Sequence, residues 1–456
     1  MTSVLTAKGT KAKATKLSLN LSTLPAHEAE EAKKVFHYML DPQHTFGITW
    51  KAMQKHAGTP HIGEEQEPLC DLFCILDRLQ HRKLSGHAAL QEVYNFCDTL
   101  DSKSQDVVKW VLDGKNPAKI GKAIINAMFP EYIYHQPYMG AKPDNPTNRS
   151  RLHWRDGVIV QKKYDGLCGI SGIDNLRTRK GMIMNVPTDC KLGKELRALH
   201  IYKLWHVLQG ELLCYKDGKA LPRAYSNGVY SKLRAGSELT QEEADSLTYV
   251  VWDMVASSEY NNDQKRTKNI VEYEDRLSAL ERVVEFGEFS QIIIAEGGVY
   301  YNQTAAQMWC DKLVKQGDEG CVAKQRNAVF TDGKPWFQVK MKPDYECEME
   351  IVGITEHNEQ QNWIGALMLR SKCGLIVNNC GTGFTEAQRV YLYDLWHTGR
   401  LKGKIGTFKF NELIKPSKKK ATYALGNPCV FKELRTKAFA DTLEDVKEML
   451  PCNGKS

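Results

Sequence analysis

The sequence predicts a multidomain α+β protein: an all-α region, then a mixed α/β region, then a small β-barrel. Three observations predict it. The chain has 456 residues, 42% hydrophobic and 26% charged, so it is too long for one ordinary core and too apolar for disorder. Apolar residues recur every three or four positions up to about Met128, and beyond it short apolar runs alternate with helical stretches. After Lys342 the runs shorten again, each bounded by turn residues.

The first twenty or so residues, with Lys8, Lys11, Lys13 and Lys16 among Ser, Thr and Ala, lack apolar periodicity and are expected to form a mobile basic tail. From Leu24 to Met128 the segments EEAKKVFHYML, EPLCDLFCILDRLQ, HAALQEVYNFCDTL and SQDVVKWVLDG carry the helical period, divided by Gly, Pro and polar breaks. FPEYIYHQPYMGAKPDNPTNRS, with four prolines, reads as a linker into a new domain. The runs GVIVQKKYDG, LWHVLQGELLCY, LTYVVWDMV, SQIIIAEGGVY and EGCVAK then alternate with the helical VEYEDRLSALERVVEF and TAAQMWCDKLVKQ. MEIVGITEH, GALMLRS, GLIVNNCGTGF and KIGTFKFNEL suit a small β-barrel of the oligonucleotide-binding (OB) type, and LEDVKEML returns to helix. The expected domains are 1–128, 129–344 and 345–456.

The formal net charge of +7 favours a polyanionic partner, because clustered Lys and Arg displace counterions from phosphates. Thirteen cysteines scattered through a long chain without an apolar signal core fit a reducing cytoplasm, not a disulfide framework. Cys70 and Cys74 have no second CxxC-like pair or His cluster nearby and are expected to be buried thiols, with no structural zinc. No stretch approaches the roughly 20 apolar residues of a membrane span.

The candidate chemistry starts at Lys163-Tyr164-Asp165-Gly166, at the end of the strand-like GVIVQK. A strand-end lysine beside a turn glycine can be aimed into a cleft, but it attacks only as the neutral amine, which nearby cations or burial would favour. The bland alternative is a surface lysine before a β-turn. Further charged elements follow at strand ends in order: Thr178-Arg179-Lys180-Gly181, Gly210-Glu211-Leu212, Trp252-Asp253, Glu319 to Lys324, then Lys340 and Lys342 in FQVKMK. Trp252 in VVWDM also fits as a core residue, and Arg179 as a surface arginine.

This ordered series resembles the nucleotidyltransferase motifs shared by ATP-dependent DNA ligases, RNA ligases and mRNA-capping guanylyltransferases. The resemblance implies ATP and Mg²⁺, with AMP carried on Lys163. Lys340 and Lys342 contact the α-phosphate, Glu211 binds ribose or metal, and Glu319 stands on the metal side. Trp252 stacks on adenine, Gln161 recognises it by accepting from the adenine amino group, Arg179 reaches ribose or nick phosphates, and Lys324 completes the nucleotide set. Phe431 to Lys437 is similar to the motif that orients pyrophosphate, which assigns Arg435 and Lys437 to self-adenylylation. Cys168 stands where these enzymes carry Arg, so one ribose or phosphate contact is altered.

RKLSGHAALQEV and KIGKAIINAMFPEYIYHQPYMGA resemble the DNA-binding domain and linker of the DNA ligases of T-even phages, a likeness that covers most of the chain. It implies a helical DNA-binding domain, a nucleotidyltransferase domain and an OB-fold, acting as a monomer on nicked duplex DNA in replication, repair and recombination. Arg82, Lys83 and Lys122 are then candidate backbone contacts, with little sequence specificity. An RNA ligase or capping enzyme is the alternative within the resemblance; an NAD-dependent enzyme would need a four-cysteine zinc module.

Overall fold

A computed structural model describes residues 10–64, 69–172, 175–202, 206–261, 271–341, 345–357, 360–416, 421–426, 429–436 and 438–450. The chain divides into two compact units. One takes Met1–Tyr138, Cys168–His200 and Pro222–Ser246; the other takes Met139–Leu167, Ile201–Leu221 and Leu247–Ser456.

The first unit is helical through α1 (Thr10–Ser22), α2 (Ala26–Leu40), α3 (Trp50–Ala57), α4 (Leu69–Gln80), α5 (Gly86–Asp98), α6 (Ser102–Asp113) and α7 (Lys122–Met128). Side-chain caps start two of them: Thr49 accepts from the Ala52 N–H and Asp101 from the Ser104 N–H, satisfying donors that a first turn leaves open. A single core gathers Phe36, Met39, Trp50, Met53, Leu76, Leu79, Val93 and Ile125. Residues 10–22, read from sequence as part of a basic tail, are helix α1 instead. Ala14 and Leu17 sit in the core, α1 lies against α7, and Lys13 Nζ donates to the Ala118 carbonyl at 2.7 Å. The lysines hid a short apolar stripe that only α7 makes useful. Cys70 and Cys74 are exposed on α4, not buried, because Leu72, Phe73, Leu76 and Leu79 take its inner face.

In the second unit, strands β1 (Val158–Lys162), β2 (His206–Lys216), β3 (Leu247–Ala256), β4 (Ile292–Ile294), β5 (Gly297–Tyr300), β6 (Cys321–Gln325) and β7 (Gln338–Met341) make two sheets. One has the antiparallel order β7-β6-β1-β5. In the other, β3 lies between antiparallel β2 and parallel β4. Alternation divides β1: Val158 and Val160 pack with Ala306, Cys310 and Leu313 of the Gln303–Lys315 helix, while Ile159 packs with Tyr273 and Leu277 of the Tyr273–Phe286 helix.

The OB-type region has β8 (Tyr345–Glu356), β9 (Ile364–Arg370), β10 (Val377–Cys380), β11 (Ile405–Phe410) and β12 (Val430–Arg435), in the antiparallel order β10-β9-β8-β11-β12 over a core containing Met349, Ile351, Leu367, Leu369, Phe408 and Phe431. The expected closed β-barrel is therefore corrected to an open sheet among the described residues. Among the described residues the segments at its two ends share no ladder beyond the isolated Thr382–Val430 bridge. β10 is four residues long, and Gly383 turns the chain out of extended backbone at φ +92°, where a Cβ would lie 2.4 Å from the Phe431 carbonyl oxygen. A closing ladder cannot propagate past that point.

Candidate active site

Strand β1 delivers three consecutive polar residues into one end of its sheet. Its backbone is held on both sides there, the Lys162 N–H donating to Glu296 O at 2.8 Å and the Lys163 N–H to Gly320 O at 2.9 Å. Strand alternation sends the two lysines apart, and each meets one of two consecutive acids entering β6. Lys162 pairs with Asp318 at 2.8 Å and Lys163 pairs with Glu319. Lys163 and Glu319 are both half-buried, their side chains 23% and 24% exposed, so a small ligand can reach the pair. An ammonium held by a carboxylate is no nucleophile, so this pair must open, and the amine lose its proton, before the lysine can attack.

The turn after Lys163 is tied to β2, where the Gly166 N–H donates to Glu211 Oε1 at 3.1 Å. Gly166 is required by close approach: a Cβ there would lie 2.4 Å from the Leu212 carbonyl and 2.8 Å from Glu211 Cγ. The KxDG spacing is thus a packing requirement as well as a chemical one.

Behind Lys163 lies a buried polar cluster. Gln161 Oε1 accepts from Lys324 Nζ at 2.8 Å and lies 2.6 Å from Tyr273 Oη, which is also 2.6 Å from the Trp252 carbonyl. Lys324 Nζ lies 2.8 Å from Tyr273 Oη and 5.7 Å from the centre of the Trp252 ring. The oxygen expected to accept from an adenine amino group is therefore already occupied. Beneath the cluster Asp253 and Arg276 form a buried two-toothed ion pair at 2.8 and 3.0 Å. Tyr273 and Arg276 were missed from sequence. Their signal was a polar pair at core spacing in YEDRLSAL, where Tyr273, Arg276, Leu277 and Leu280 share the buried face.

Burial pulls the Lys324 amine from its ordinary 10.5 down to about 7, against the Asp253 carboxylate, which favours the charged form, and with the Arg276 charge, which opposes it. Between about 7 and 10.5 the unfolded chain holds a proton that the folded one has released, so this residue makes stability rise with pH across that window. Lys324→Met should flatten that rise. Urea midpoints at pH 7, 8 and 9 for both proteins check it, and parallel curves would refute it.

Lys340, on β7, donates its backbone N–H to Lys142 O at 3.0 Å and is half-buried. Lys342 and Lys437 lie outside the described residues. Arg435, on β12, is engaged by Glu348 at 3.3 Å and Glu433 at 2.7 Å. Four other candidates belong to the first unit. The Arg179 guanidinium lies over the Tyr138 ring at 5.5 Å, Arg82 and Lys83 are exposed after α4, and Lys122 opens α7. Among the described residues no group of three or more His, Cys, Asp and Glu could hold a metal unaided. Glu211 and Glu319 are a hard-oxygen donor set that fits Mg²⁺ when phosphates supply further ligands.

What this arrangement can run is group transfer through a lysine, beside two carboxylates and a buried polar floor, which is the chemistry of a nucleotidyltransferase core with an OB-type sheet after it. No family model matches the chain. It is 24% identical over 435 residues to the DNA ligase of Enterobacteria phage T4, spanning 85% of this chain and 87% of that one, and the DNA ligase of Enterobacteria phage T6 matches equally. The chain is thus similar, over most of its length, to the DNA ligases of these two phages. The solved structure described as Pmar-Lig_PreS3 shares the fold at TM-score 0.70 and 16% identity, covering 95% of this chain and 98% of its own. No helix among the described residues is long and apolar enough to cross a membrane.

Proposed function

We propose that the protein is an ATP-dependent DNA ligase that carries AMP on Lys163 and seals nicks with a 3′-hydroxyl and a 5′-phosphate in duplex DNA. The observation that carries this reading is Lys163 at the end of β1, held against Glu319 and beside the Glu211-tied turn, in a chain similar over 85% of its length to a phage DNA ligase. The neutral Lys163 amine attacks the α-phosphate of ATP; a P–N bond forms and pyrophosphate leaves. A 5′-phosphate oxygen of the nick then attacks the same phosphorus, freeing the lysine and giving a DNA-adenylate. The 3′-hydroxyl attacks the 5′-phosphate and AMP departs, the catalysis resting on alignment and charge neutralisation.

Lys340 and Lys342 serve the α-phosphate, Trp252 and Gln161 the base, Arg179 the ribose or nick phosphates, and Arg435 and Lys437 the departing pyrophosphate. Glu211 and Glu319 would hold Mg²⁺. Bound there, the ion neutralises phosphate charge. Glu319 has a second task on this chain, since it must release Lys163 for attack. The protein acts as a monomer.

The test is incubation with labelled ATP or GTP and Mg²⁺, then a chase with nicked duplex DNA. Label from ATP alone, lost to the DNA as sealed product forms, supports the reading. Label from GTP would point to a capping-type enzyme, and label that nicked DNA never removes would defeat the DNA-sealing step. DNA binding by the first unit should be electrostatic and weakly dependent on sequence. Replacing Arg82, Lys83 and Lys122 by alanine should weaken binding to different duplexes alike and flatten the log–log salt dependence by about one for each phosphate left unneutralised. An unchanged slope in a salt titration would remove these residues from the interface.

A further inference from the structure

We propose that Cys380 and Cys429 are a modification site: an oxidisable thiol pair that takes a hydroperoxide and closes to a reversible disulfide between the two edge strands of the OB-type sheet. The proposal is independent of the nucleotide reading. Cys380 ends β10, one edge strand, and is fully buried. Cys429 stands just before β12, the other edge strand, and is half-buried, so one member of the pair is within reach of a small oxidant. The backbone around them is already joined. Thr382 and Val430 form the isolated bridge, the Phe431 N–H donates to the Thr382 carbonyl at 3.0 Å, and Thr382 Oγ1 donates to the Cys429 carbonyl at 2.7 Å. Cys380 Sγ lies 3.3 Å from that same carbonyl oxygen, and the two thiols are in hydrogen-bonding contact.

A sulfur that an oxidant can reach, beside a second sulfur that can resolve it, is what a peroxide-sensitive pair needs. The hydrogen bond from the Cys429 thiol holds the Cys380 thiol below its ordinary range; burial opposes this, and backbone hydrogen bonds and the Arg389 charge assist it. The pair therefore gives up one proton readily, and the other lies between the sulfurs, which lets the charge reach Cys429. The Cys429 thiolate attacks one peroxide oxygen; the O–O bond breaks, and hydroxide leaves and is protonated to water. The Cys380 sulfur then attacks the sulfenic sulfur, an S–S bond forms, and water departs with the second thiol proton. Two thiols and one peroxide become a disulfide and two waters, and a dithiol restores the pair. Cys310 and Cys321 also touch, but at 1% and 0% exposure neither is within an oxidant's reach, so that pair should stay reduced.

The experiment treats the full chain with hydrogen peroxide, blocks the remaining thiols by alkylation and maps the unreduced tryptic digest by mass spectrometry. Expected is a peptide pair joined through Cys380 and Cys429, lighter by two hydrogen atoms and released by dithiothreitol. The pair should persist in Cys373→Ser, whose position shares a tryptic peptide with Cys380, and vanish in Cys429→Ser. Hydrogen exchange at the Phe431 N–H, whose acceptor lies across the link, should slow about tenfold on oxidation. The wild-type map decides the matter even if Cys429→Ser does not fold. A Cys429 that stays open to alkylation, that is oxidised without Cys380, or that joins Cys373 instead would overturn the proposal, as would linking of Cys310 to Cys321 ahead of it. Unchanged exchange at Phe431 in the linked protein would show that the disulfide fastens nothing, and would equally overturn it. None of these outcomes bears on the ligase reading, which label transfer tests separately.

Discussion

Replacing Lys163 with alanine should abolish covalent labelling by ATP and reduce nick sealing by about a thousandfold or more, because the proposed reaction then has no covalent carrier. The fold should survive. Lys163 is half-buried, with a side chain 23% exposed, and its backbone bond to Gly320 does not depend on the side chain. The informative comparison uses DNA adenylated beforehand at the nick. Joining the 3′-hydroxyl to that substrate needs no lysyl-AMP, so the variant should seal it far better than it seals an ordinary nick with ATP. Equal loss on both substrates would show that Lys163 also serves the last step. Unimpaired labelling in the variant would move the nucleophile elsewhere.

Breaking the Asp253–Arg276 pair should be the most damaging substitution outside the reacting groups, costing about 3–5 kcal/mol of stability, because it strands a charge in a place closed to water. Both side chains are nearly inaccessible, at 1% and 2%, and the guanidinium also donates to the Ala328 carbonyl at 3.2 Å. The pair joins β3, next to Trp252, to the helix that supplies Tyr273, so its loss should loosen the nucleotide floor as well. Arg276→Met alone should lower the urea midpoint strongly and weaken ATP binding. The double variant Asp253→Leu with Arg276→Met should regain much of the stability, since apolar replacement of a whole buried pair is often neutral. A single variant as stable as wild type would mean that the pair does not anchor these elements.

The order of the charged groups at strand ends could be read from the chain because each motif encodes short-range geometry. Lys163 must follow a strand and precede a turn glycine, and Gly166 packs so closely on Glu211 and Leu212 that another residue would not fit. Helical periodicity from Leu24 to Met128 and the four short apolar runs after Lys342 were likewise local signals, and strands formed in all four, whereas the strand Val430–Arg435 was not read as one. Other features depended on partners far along the chain. Gln161 and Tyr273 are 112 residues apart, and Lys324, a further distant residue, meets the same Gln161 side chain. Arg276 became a core residue only because Asp253 arrived beneath it. Helix α1 gained its order from α7, and the OB-type sheet stayed open because Gly383 turned away where the Phe431 backbone closes in. The sequence by itself determined which chemical groups stand at strand ends and in what order, because spacing and turn residues are properties of neighbouring positions. Only the tertiary structure decided which of those groups are already engaged, because hydrogen bonding and burial belong to pairs of residues that the chain brings together on folding.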